Sequence, residues 1–161
     1  MTERLAEALL WGLVASAAMI TVLQASVGLG WSRLNLPMLI GTLFTGNRHR
    51  AIVLGMVVYL IGGWLFALLY FFAFAQLGHG SWWLGGLLGL LHGLFLVVVA
   101  LPLLPHIHPR MASDVDGPTY YRRLEPPGPF GTHYGHNTPL TALLANVVYG
   151  VVLGAVWPFV E

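Results

Sequence analysis

The chain has 161 residues, of which 57% are hydrophobic and 8% charged, with a formal net charge of +1 and no cysteine. A soluble domain carries roughly 25% charged residues, so water cannot solvate this surface, and the composition is that of an integral membrane protein. The small net charge gives no case for nucleic acid as a partner, and the missing thiols exclude disulfides, thiolate metal sites and dithiol redox motifs.

In chain order, the first apolar segment runs over about 5–29. AlaSerAla at 15–17 loosely resembles a signal-peptide cleavage site, but Glu3 and Glu7 stand beside the single Arg4 and the apolar run continues well past 17, so a retained helix is expected. Gly28, Gly30 and the polar GWSRLNLP end it. LPMLIGTLFT (36–45) is too short to span roughly 30 Å of hydrocarbon at about 1.5 Å per residue. It is expected to be an interfacial or partly re-entrant helix started by Pro37. GNRHR anchors a long second span over about 51–77, and GHGS (78–81) is a tight turn. Trp82 and Trp83 mark the interface where a third span, about 82–104, begins.

The polar stretch 102–139 holds eight of the ten prolines, six of the thirteen charged residues and four of the seven histidines. If a site lies outside the lipid, it is expected there. Pro139 suits the start of a fourth span, about 139–159, with Trp157 as its far interfacial anchor. TyrTyrArgArg (120–123) reads as another anchor, with Arg122 and Arg123 able to meet anionic lipid.

The two loops on one side carry Arg33, Arg48, Arg50, Arg110, Arg122 and Arg123, against Arg4 alone on the other. The positive-inside rule therefore puts both loops in the cytoplasm and both termini outside. At an offset of ninety, residues 33–59 match 123–149 at ten of twenty-seven positions without a gap. The matches include Pro37/Pro127, Gly41/Gly131, Thr42/Thr132 and the ValValTyr ending at Tyr59 and Tyr149. Two parallel two-helix repeats forming an all-α, integral membrane four-helix bundle are expected, with short interfacial helical segments in the loops. Gly85, Gly89 and Gly93, and likewise Gly150 and Gly154, are four apart and suit close helix packing.

Two groups of residues carry possible chemistry. His92 is the only ionisable side chain deep in a span, with Asn146 and Gln24, besides Ser16 and Thr21, as polar partners across the bundle. It serves either as interhelical glue or as a ligand or proton carrier. In the loop, His106, His108, His133 and His136 are candidate ligands for a transition metal, with Asp114 and Asp116 offering oxygen. No HExxH-type motif accompanies them, and hydrogen-bonding surface histidines are the competing reading.

GLVASAAM, LP-x3-GTLF, FALLYFFAF, GLLGLLHGLFLVVVALPLLPHIHP and VVYGVVLGAVW, in that order, resemble a group of small four-helix bacterial membrane proteins, broadly YagU-like. The resemblance implies a compact bundle of the bacterial inner membrane with no assigned reaction. In that pattern the residue three before TyrGly in the last helix is often His, where this chain has Asn146; His92 in LeuHisGly fits. Three function classes follow. The first is a non-enzymatic, partner-binding or accessory subunit of a larger membrane complex or homo-oligomer. The second is a metal- or haem-binding protein using His92 or the loop histidines, and the third a small transporter or channel. No nucleophile–base pair, phosphate loop or paired carboxylate supports an enzyme.

Overall fold

The computed structural model describes residues 2–113 and 117–160, with side chains described from Ala6 to Pro158. Among them the structure is all-helical. The elements are α1 (Thr2–Gly28), α2 (Leu36–Phe44), α3 (Arg48–Leu77), α4 (Trp82–Phe95), a π-helical turn (Leu96–Ala100), α5 (Leu101–Ile107), a 3-10 turn (Pro129–Tyr134) and α6 (Thr138–Val160). Four helical stretches are long and apolar enough to cross a membrane: Ala6–Gly28, Arg48–Leu77, Trp82–Ile107 and Thr138–Pro158.

Local chemistry explains the boundaries. The Asn35 side chain accepts from the Met38 amide at 3.0 Å, which with Pro37 starts α2, and Asn47 accepts from the Arg50 amide at 3.1 Å to start α3. Gly78 ends α3 with φ 70°, a left-handed cap that favours glycine. The π turn has a specific cause. Pro102 has no amide proton and its ring would meet the carbonyl four residues earlier. The helix widens instead, and the Leu101 amide reaches back to the Leu96 carbonyl, five residues away.

The four spans pack in the lateral order α4, α6, α1, α3, with α3 also touching α6. The α4–α6 contact is the closest. A β-carbon added at Gly85 would fall on the Gly150 carbonyl, one at Gly89 on the Asn146 carbonyl, and one at Gly154 on the Ser81 carbonyl. Such backbone contact replaces hydrophobic force, which lipid cannot supply between helices. The short α2 lies against α3 by the same device, with Gly41 on Ala51 and Gly55 on Pro37. By contrast α3 and α4 stay apart at the backbone and meet only through side chains.

The two long connections pack against each other at one end. The Ser32 and Thr138 hydroxyls lie 2.8 Å apart, and Arg33 binds the His133 and Tyr134 carbonyls. Reciprocally, Arg110 donates from one guanidinium nitrogen to the Thr42 and Leu43 carbonyls at the end of α2. Those carbonyls are at the negative end of a helix, where a cation is favoured. Each connection therefore ties down the other.

Three expectations need correction. The two Pro-x3-Gly-Thr motifs do not share a backbone path: Pro37, Gly41 and Thr42 lie in an α-helix, whereas Pro127, Gly131 and Thr132 lie in or beside an irregular turn with Phe130 and Gly131 at φ 55° and 79°. The sequence explains the difference, because Pro126, Pro127 and Pro129 deny this loop the amides that a helix needs. Trp157 is not an outward anchor. It is 9% exposed and stacks on Phe71 with ring centroids 5.7 Å apart, beside Phe74 and Gly80. Gln24 is exposed and takes no part in an interior polar cluster. Trp82 and Trp83 do project outward, at 64% and 53% exposure.

Candidate functional site

Because α3 and α4 stay apart, a cavity of about 350 Å³ opens between them, closed on the loop side by α2. Its walls are mostly aliphatic: Leu36, Leu39 and Ile40 from α2, Val58 and Gly62 from α3, and Leu96, Ala100 and Leu101 from the π turn and α5. The π turn thus forms part of one wall. Five residues with polar side chains also line it, namely Ser16, Tyr59, His92, Asn146 and Tyr149. They come from all four spans.

Most of these polar groups are spoken for. Ser16 donates to the Gly12 carbonyl at 2.7 Å, the Tyr59 hydroxyl to the Ser16 carbonyl at 3.4 Å, and the Tyr149 hydroxyl to the Gly63 carbonyl at 2.6 Å. Asn146 is different. It is 1% exposed, and its Nδ2 donates to the Ala142 carbonyl at 2.8 Å. That bond fixes the amide orientation, since only the nitrogen can face a carbonyl. Its Oδ1 is then buried with no donor. A buried acceptor left unpaired costs about 1–3 kcal/mol.

His92 lies ten residues beyond Trp82, about 15 Å along the helix at 1.5 Å per residue. Its Nδ1 is 3.4 Å from the Tyr70 hydroxyl, and its ring stacks on Phe66 with centroids 4.0 Å apart. Tyr149 stands edge-on at 6.2 Å. The partners of His92 are therefore residues of α3 and α6 aromatic rings, not Asn146 or Gln24. Asn146 shares the cavity with His92 but makes no hydrogen bond to it among the described residues. Sequence reasoning missed Phe66, Tyr70 and the two tyrosines. The matched ValValTyr at 59 and 149 was the available signal, because both tyrosines line the cavity and both bond a carbonyl of a neighbouring helix.

The loop histidines separate. No group of three or more His, Asp or Glu side chains forms a metal site among the described residues. His108 is 2% exposed and committed at both nitrogens. Its Nδ1 accepts from the Arg110 amide at 3.1 Å, so its proton sits on Nε2, 3.2 Å from both the Leu39 carbonyl and the Thr42 hydroxyl. Burial first, with the Arg110 charge adding to it, holds its pKa below the ordinary histidine value despite the Leu39 hydrogen bond. His108 is a structural pin between the loops. His106 and His133 are exposed and border one smaller cavity of about 300 Å³, with His133 Nδ1 donating to the Pro126 carbonyl at 3.0 Å. His136 is exposed and apart from it. Asp114 and Asp116 lie outside the described residues.

Tyr134 completes the loop core. Its hydroxyl donates to the Glu125 carbonyl at 2.7 Å, and burial together with the Glu125 charge pushes its pKa up to about 12. Arg33 pairs with Glu125 at 3.3 Å, an exposed pair of small energetic weight. In comparisons with known proteins, no protein-family profile, no curated protein and no solved structure matches this chain.

Proposed function

We infer that this chain is a non-enzymatic binding protein of the membrane, which receives an apolar, bilayer-soluble molecule in the cavity between α3 and α4. The observation carrying this reading is the cavity itself, whose aliphatic walls are interrupted by a few polar side chains, His92 among them. Ligand sites are largely apolar cavities of about 300–1,000 Å³ with a few placed polar groups. The occupant would be largely hydrocarbon, to fill the aliphatic walls, with room for a small polar group beside His92. The arrangement supports an accessory role, in which the protein holds such a molecule for a larger membrane complex. The arginine distribution supports placing the loops on the cytoplasmic side of a bacterial inner membrane, in keeping with the YagU-like resemblance.

The test fills the cavity. Gly62 lines it, and an added β-carbon there meets nothing within 4 Å. Purified wild type should release one class of apolar compound on organic extraction, and Gly62→Phe should release much less while unfolding at the same temperature. Identical extracts from both proteins would end the reading.

A further inference from the structure

A second cavity, of about 480 Å³, lies on the other face of α2, where the two loops meet. Arg48, Arg110 and Arg123 line it together with Tyr120 and Tyr121, and no carboxylate among the described residues does. Among the described residues, none of the three arginines forms an ion pair; the one such pair engages Arg33 and Glu125. Arg110 is held by the Thr42 and Leu43 carbonyls through one guanidinium nitrogen, which fixes its fork. Arg123 is held by its Nε bond to the Tyr120 carbonyl at 2.8 Å and by stacking 4.4 Å over the Tyr120 ring. Arg48 stands on the first turn of α3, whose positive end adds to the field.

Tyr120 and Tyr121 are 75% and 79% exposed, and amphipathic aromatic rings of that kind favour the headgroup level of a bilayer. Arg48 begins a stretch long and apolar enough to cross a membrane, so the cavity lies at the polar end of that stretch. Three guanidiniums from three segments, two of them pre-positioned, form a cradle for one tetrahedral anion. We propose that this cavity binds a phosphate group at the membrane surface, supplied by an anionic phospholipid headgroup or by free phosphate. The site is independent of the cavity between α3 and α4.

The experiment uses the full chain in nanodiscs of equal phosphatidylglycerol and phosphatidylcholine, with the lipid retained after transfer to neutral detergent measured by mass spectrometry. At the strength usual for basic residues near an anionic surface, removing two arginines should cut the preference for the anionic lipid by about 30-fold. Arg48→Gln combined with Arg123→Gln should therefore lose most of the preference, and circular dichroism melting should stay unchanged because both side chains are exposed. Arg33→Gln, a charge at the same end but outside the cavity, should keep it. A second arm adds inorganic phosphate. Displacement of retained lipid would assign the site to the phosphate group from either source, and no displacement would assign it to the lipid headgroup. Wild-type preference in the double variant, or an equal loss in Arg33→Gln, would overturn the proposal.

Discussion

Replacing Gly89 by alanine tests the backbone contact between α4 and α6 and the helix that carries His92. An added β-carbon would lie 2.9 Å from Val147 Cα and from the Asn146 carbonyl carbon, and would overlap the Asn146 carbonyl oxygen. These are backbone atoms, so no side chain can turn aside and α4 must move away from α6. Overpacking of this kind costs about 1–3 kcal/mol. Lost Cα–H···O contacts add about 0.5–1 kcal/mol each. Alanine returns about 1 kcal/mol of helix propensity, leaving a net loss of about 2 kcal/mol. Gly62→Ala is the matched control. Its β-carbon meets nothing, so only the propensity gain remains, about 1 kcal/mol. Gly86→Ala should fall between, because its β-carbon meets only side chains, Val151 at 3.2 Å and Val147 at 3.9 Å. At about 2–4 °C per kcal/mol, thermal unfolding followed by circular dichroism in detergent should separate Gly89→Ala from Gly62→Ala by about 6–12 °C. Equal midpoints, or Gly62→Ala melting first, would refute the claim that backbone contact holds α4 to α6.

Two further outcomes are expected. His108 is buried neutral with a depressed pKa, so the unfolded chain binds more protons than the folded one below the ordinary histidine value. Stability should be fully present above about pH 6.5 and fall as the pH drops below it, and His108→Gln should flatten that fall; an unchanged pH profile in the variant would show that His108 is not the pin between the loops. A topology reporter fused after Glu161 should behave as extracytoplasmic if the six loop arginines set orientation, and a cytoplasmic signal there would reverse the assignment of sides.

The sequence by itself determined the architecture at the level of elements. Long stretches without charge can only be spans, and AsnLeuPro, AsnArgHisArg and GlyHisGlySer mark their boundaries through backbone chemistry that is local. The four-residue glycine spacing likewise announced close packing, because one face of a helix is defined by the helix alone. Which helix met that face was not local. Tertiary structure decided that α4 lies on α6 and stands off from α3, and that gap is the cavity.

It also decided the roles of the histidines. Their spacing in the chain says nothing about convergence, since His108 turns inward to a helix nearly seventy residues away while His106, two positions earlier, faces out. Trp157 and Gln24 show the same limit: an apolar ring and a polar amide on membrane helices each have two faces to choose from, and only the neighbours in space select one. The Pro-x3-Gly-Thr match fails for a related reason. Identical residues at six positions could not impose one backbone where two extra prolines in the second loop, Pro126 and Pro129, had removed the hydrogen bonds that hold the first as a helix.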